Sequence, residues 1–302
     1  MLKLAFFSGT KAISAIAVLA LLAGCSGGCG NCTVPAYHTP PVPSFTPTPT
    51  PPPPPPVGTL ACTQGPSAIT LGPALAPFAI LAGSAVSNVG NTLVTYGPSA
   101  ITAGVHDDLI GVSPGTAVTG FPPGSDADGP NAIYAAGFNP NTAVPLAAQN
   151  ALTTAYTTAA GVPATATVAG DLGGQVLAPG VYKSTSSLAI GNGNLTLDGG
   201  GNAQSVFLFQ IASTLTTTLN GSAGGNVVLR NGATACNVFW QVGSSATLGG
   251  STFYGDILAF SSITINAPSF TGRALAGGSA LGSGAVSIPV LSGSLITNPG
   301  GR

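Results

Sequence analysis

The groups that could carry chemistry in this chain are few and scattered. Its seven acidic side chains are all aspartate, at Asp107, Asp108, Asp126, Asp128, Asp171, Asp198 and Asp256. A polysaccharide lyase, an enzyme class that parallel strand coils also house, needs clustered carboxylates for calcium and a basic proton acceptor. The spacing offers no such cluster, and neither Arg230 nor Arg273 has grouped acids near it in sequence. The stretch "DADG" at 126–129 opens like a calcium loop but lacks the remaining ligands and the terminal Glu. His106 has no obvious nucleophile partner in the sequence. Cys29 and Cys32 form one C-x-x-C, with no second pair for zinc and no strand–helix–strand context for a redox site. The expectation is a protein that is not an enzyme, with no cofactor and no bound metal.

What remains is hydroxyl chemistry on an unusual frame. Charged residues make up 4% of the chain, where a soluble domain ordinarily carries roughly a quarter. Gly and Pro are abundant and aromatics few, a mix that favours strands joined by tight turns over a helical bundle. Near the N-terminus, Lys3 and Lys11 flank a short start, and "AISAIAVLALLA" follows as an apolar stretch of signal-peptide length. It runs into "LAGC", Leu22 to Cys25, which has the form of a bacterial lipobox. Residues 1–24 are therefore read as a lipoprotein signal peptide, with Cys25 as the lipidated first mature residue. An ordinary signal peptide beside a chance cysteine is the alternative.

Without Lys3 and Lys11, four of the six basic side chains remain against seven acidic ones, so nothing marks a nucleic-acid partner. Residues 25–58 include "HTPPVPSFTPTPTPPPPPPV", a Pro/Thr-rich spacer of the extended polyproline class. Such a spacer would hold a folded domain, 59–302, away from a membrane. The expected location is the cell envelope, at the outer membrane or cell surface, with a membrane partner through Cys25. Export makes a disulfide between Cys62 and Cys236 chemically allowed, though spacing alone does not bring them together.

The C-terminal half repeats. "VFWQVGSSATLGGSTFYG", "DILAFSSITINAPSFTG" and "RALAGGSALGSGAVSI" each open on apolar residues, pass a Ser step and continue as a hydroxyl-rich run. On this spacing Ser245, Ser262 and Ser279 are equivalent, as are Leu248, Ile265 and Leu281 within one residue. So short a repeat without helical periodicity marks a solenoid of strands. Period-two alternation in "SSITIN" predicts Ile263 and Ile265 inward and Thr264 outward. One segment departs from this pattern. In 141–161, Ala148, Leu152, Ala155, Tyr156 and Ala159 share a helical face, with Asn141 or Thr142 to cap it and Gly161 then Pro163 to end it. A rod lying along the solenoid is expected.

Four blocks carry a family resemblance: "GVSPGTAVTGFPPG" (111–124), "GDLGGQVLAPGVYKSTSSL" (170–188), "LTLDGGGNAQSVFLFQIASTLTT" (195–217) and "CNVFWQVGSSATLGGSTFYGDILA" (236–259). The chain from 66 to 296 resembles the bacterial and fungal ice-binding proteins of the DUF3494 type. Residues 97–108 are longer and less regular than the usual approach to "VSPG", and the helix is less charged. The resemblance implies a mainly β fold: a discontinuous right-handed β-solenoid of triangular section with one long α-helix packed alongside. It further implies a monomer whose partner is an ice crystal surface, met through one solenoid face.

Physical chemistry supports that partner. Ice offers no charge pattern to grip, so a binder needs a rigid surface that orders water. Thr supplies an apolar methyl and a hydroxyl on a stiff, β-branched side chain. The resemblance points to T-A/G-x-T/N motifs at Thr116 to Thr119 and at Thr234 to Asn237. The hydroxyl runs add Thr214, Thr216, Thr218, Thr247, Ser251 and Thr264 as candidate ice contacts. A surface adhesin or matrix protein without ice affinity is the competing reading, since fold does not dictate function.

Overall fold

The computed structural model describes residues 64–66, 69–97, 108–218, 224–277, 284–290 and 292–300. Cys25, Cys62, His106, Asp107, Ser279 and Leu281 lie outside the described residues, as do the leader and spacer. Pro54–Arg302 is one compact unit, and all that follows concerns it.

Among the described residues, every strand ladder is parallel and the chain winds through three faces in turn. A nine-stranded sheet forms the first, running from Ile133–Tyr134 through Leu109–Val112 and Phe78–Ala82 to Ala274–Ala276, and on to Ala166–Thr167. An eight-stranded sheet forms the second, from Ala117–Thr119 to Gly170–Asp171. The third carries a five-stranded and a three-stranded sheet, with Val227–Arg230 of the smaller against Thr252–Tyr254 of the larger.

The stack is discontinuous in chain order. Phe78–Ala82 pairs with Leu109–Val112 on one side and with Ala274–Ala276 on the other. The chain thus starts inside the stack, builds outward to Ile133–Tyr134, and must then return to the far end. The helix Ala143–Gly161 makes that return. Its 19 residues rise about 28 Å, roughly six strand spacings of about 4.8 Å. Its buried side, Pro145, Ala148, Gln149, Leu152, Ala155 and Ala159, packs on Leu208, Phe239, Leu258 and Leu275 of the nine-stranded sheet. Asn141 Oδ1 accepts the Ala143 N–H at 3.2 Å, whereas Thr142 makes no capping bond.

This second apolar layer explains "VFWQV". Val238–Val242 is buried throughout, because Phe239 faces the helix while Trp240 faces the interior. Inside, Tyr182, Phe209 and Trp240 stand in register on successive coils. Their rings stack at 5.3 and 4.1 Å.

The repeat holds for two of its three expected units. Ala246 pairs with Ile263 and Thr247 with Thr264, so Ser245 and Ser262 are equivalent. The next strand on that face is Ala285–Ile288, with Val286 opposite Ile263 and Ser287 opposite Thr264. A strict 17-residue step would have placed residue 280 there. Pairing fixes the register of strands, whereas corners absorb insertions at little cost.

Two buried acids have opposite surroundings. Asp256 Oδ2 accepts Arg273 Nη1 at 2.9 Å, and both side chains are almost wholly buried. Arg273 further donates Nε to Ala76 O at 2.9 Å and Nη2 to Gly300 O at 3.2 Å. Asp108 has no such cation beside it among the described residues: its buried carboxyl lies near the acids Asp126 and Asp128.

Burial first, and the charge of Asp126 second, push the Asp108 carboxyl up from 3.8 to about 8. The folded state therefore holds a proton between those values that the unfolded state has released. Stability must fall as pH rises from about 4 to about 8 and level off beyond. Asp108→Asn should remove that slope and stabilise the fold at pH 8 by about 1–3 kcal/mol. Melting curves of both forms from pH 4 to pH 9 check this, and parallel curves would contradict it.

Candidate functional site

The helix packs on the nine-stranded sheet, and among the described residues the other two faces carry exposed side chains. The third face exposes Leu93 and Leu295, opposite each other on paired strands, together with Val176 and Arg230. The eight-stranded sheet differs in that its outward residues are small and in register. Down its centre runs Ala189, Thr216, Thr247 and Thr264. The column continues through Ser287, Ser87 and Thr119. Only one charged group stands in it: Asp171, at the terminal strand opposite Ala189.

Beside the centre column lie Ala285, Ala85 and Ala117, paired in register. The same flank continues into Ser262, Ser245, Thr214 and Ser187, whose backbones carry the ladder onward. Thr214 Oγ1 sits 2.8 Å from Ser187 Oγ, so these hydroxyls hold one another laterally. On the opposite flank Thr218 is level with Gly249, and exposed Asn266 and Val89 follow on later strands of the ladder. The cause is strand alternation. Leu215, Thr217, Leu248, Ile263, Ile265, Val286 and Val118 turn inward, which forces the residues between them outward. Inward Thr217 is satisfied by the N–H groups of Gly249 and Gly250 at 3.0 and 3.1 Å.

Asp171 has its carboxylate oxygens taken up by donors of its own corner. Oδ1 accepts the N–H of Gly173 and Gly191 at 2.8 and 3.0 Å, and Oδ2 accepts the Asn192 N–H and Nδ2 at 2.9 and 2.7 Å. Slight burial pushes its carboxyl up, but these four donors outweigh that and hold it below the usual value. It serves as the clip of the first corner.

The structure gathers six of the ten candidate contacts on this one face: Thr119, Thr214, Thr216, Thr218, Thr247 and Thr264. Thr116 and Ser251 are exposed at its corners rather than in its strands. Thr234 and Asn237 belong elsewhere. Both are buried, in the corner that joins the third face to the helix-covered one. There Asn237 Nδ2 donates to Ala203 O and to Thr234 Oγ1, each at 3.0 Å. Burial and these internal partners remove them from any surface contact, despite a motif pattern shared with Thr116–Thr119.

Ser87, Ser287, Ala85, Ala285 and Ala189 are members of the face that sequence reasoning missed. Their signal was present in the near-identical "AVS" at 85–87 and 285–287 and "AVT" at 117–119. These runs lie far apart in the chain and become neighbours only through the discontinuous stacking. Cys236 is buried and disulfide-bonded; Cys62, its expected partner, lies outside the described residues.

A parallel three-faced solenoid with a returning helix and one small-residue face defines a family, and residues 80–286 match the one described as ice-binding-like. The chain belongs to that family. It is 54% identical over 96 residues to an ice-binding protein of Nostoc sp. strain HG1, covering 32% of this chain and 34% of that one. With ice-binding protein K1-A of Typhula ishikariensis it shares 32% identity over 200 residues, covering 65% and 78%. The match thus spans about a third of the Nostoc relative's length. Among solved structures, an ice-binding protein from an Antarctic biological consortium superposes with a TM-score of 0.62 at 38% identity, over 78% of this chain and 93% of that one. One from Antarctomyces psychrotrophicus gives 0.60 at 32% identity, over 76% and 98%.

Proposed function

We propose that this chain binds ice through the eight-stranded Ser/Thr/Ala face. The observation that carries the reading is the register of its centre column, one small side chain per strand at spacings of about 4.8 Å, close to the oxygen repeat of ice. Each methyl excludes loosely held water while each hydroxyl anchors one, and the ladder holds them in place before contact. A preorganised surface loses little entropy on binding, so many weak contacts can sum. Charged groups would keep their own hydration shells and spoil the array. The column's single carboxylate is already occupied by backbone donors.

No catalytic step enters this reading, and the family's described role is ice binding. Growth of an ice crystal in the presence of the purified exported chain tests it directly. Faceting and slowed recrystallisation are expected, and round, freely growing crystals at every concentration reached would count against it. The leader and "LAGC" support display at the cell envelope through an acylated Cys25. Cys25→Ser should release the protein from the membrane fraction or leave it unprocessed, whereas a freely soluble, unacylated wild type would argue against an anchor.

A further inference from the structure

The place where the chain enters the solenoid follows from the residues that hold it. Gly65 N donates to Asn237 Oδ1 at 2.8 Å, a buried bond. Gly65 also lies so close to Gln204 and Val206 that an added Cβ would stand 2.1 Å from Gln204 O. Gln204 and Val206 lie in the corner between Leu195–Asp198 and Phe207–Ile211, and Asn237 in the next corner, between Val227–Arg230 and Val238–Val242. Both corners join the third face to the helix-covered one. They form the edge opposite the Ser/Thr face.

Cys236, next to Asn237, is disulfide-bonded, and Cys62 precedes Gly65 by three residues. Three residues span at most about 11 Å, and a disulfide needs its Cα atoms about 4.4–6.8 Å apart, so the Gly65 anchor delivers Cys62 within reach. Cys25, Cys29 and Cys32 stand beyond the whole Pro/Thr spacer. We propose that a Cys62–Cys236 disulfide and the Gly65–Asn237 bond pin the domain's leading end to the edge opposite the Ser/Thr face, so that a surface-tethered chain presents that face outward. Forming the bond removes two protons and two electrons from two thiols, which the disulfide-exchange oxidants of an exporting compartment accept. The buried Thr234–Asn237 segment thereby gains a role as a clamp. The presentation argument rests on the ice-binding reading.

Two measurements on the exported full chain test this. Peptide mapping without reductant should yield a Cys62–Cys236 cross-linked peptide, and Cys236 joined to Cys25, Cys29 or Cys32 would overturn the assignment. For presentation, the chain is fixed to beads through a biotin at its N-terminal end, or through an azide-bearing residue in place of Thr116, exposed at the corner of the Ser/Thr face. Capture of beads by a growing ice front should be at least tenfold greater for N-terminal attachment. Equal capture, or capture lost on the N-terminally held chain while the free chain still shapes ice, overturns the proposal alone. Failure of the free chain to shape ice would overturn it together with the reading on which it rests.

Discussion

Thr247→Tyr and Thr264→Tyr should each abolish most ice shaping, so that at least tenfold more protein is needed for equal faceting, with the melting temperature unchanged. Both residues sit mid-column and pair with each other. A ring at either position stands above its neighbours and lifts the surrounding hydroxyls off the lattice, so the loss extends beyond one contact. Stability should hold, because outward substitutions of this kind usually cost within about 0.5 kcal/mol. Thr116→Tyr, at the corner, should cost much less. Thr297→Tyr, outward on the third face, should leave activity intact. Full activity in both mid-column variants, or a loss confined to Thr297→Tyr, would show that the wrong face had been chosen.

Asp256→Asn should destabilise the fold by about 3–5 kcal/mol, the usual cost of removing one partner of a buried ion pair. It would strand a guanidinium that has two carbonyl partners left, Ala76 O and Gly300 O. Arg273→Met should cost a similar amount by leaving the carboxylate unpaired. The double variant Asp256→Leu/Arg273→Met should cost less than the sum of the two, since it leaves no buried charge uncompensated. Urea unfolding of the four forms provides the cycle, and single-variant losses below about 1 kcal/mol, the level of an exposed pair, would contradict it. Each folded variant should still shape ice, because the pair lies on the helix-covered side. A stability change without an activity change would separate this staple from the surface that works.

The sequence by itself determined the class of structure. Alternating Leu, Ile and Val between hydroxyls dictates inward and outward sides, as Ile263, Thr264 and Ile265 show, because strand side chains alternate whatever the fold around them. The helix was legible for the same local reason: Ala148, Leu152, Ala155 and Ala159 mark one stripe at helical spacing. Even the Asp256–Arg273 pair left a trace, since 17 residues separate partners on consecutive coils of a repeat that length.

Only the tertiary structure decided which hydroxyls share a face. Ser87 and Ser287 pair across 200 residues of chain, and no periodicity reaches across a stack that begins in its middle. The same limit made Thr116–Thr119 and Thr234–Asn237 look alike. One faces solvent in a strand and at its corner, while the other is folded into the corner that holds Gly65. A local pattern fixes the conformation of a few residues, but burial depends on what the rest of the chain places against them.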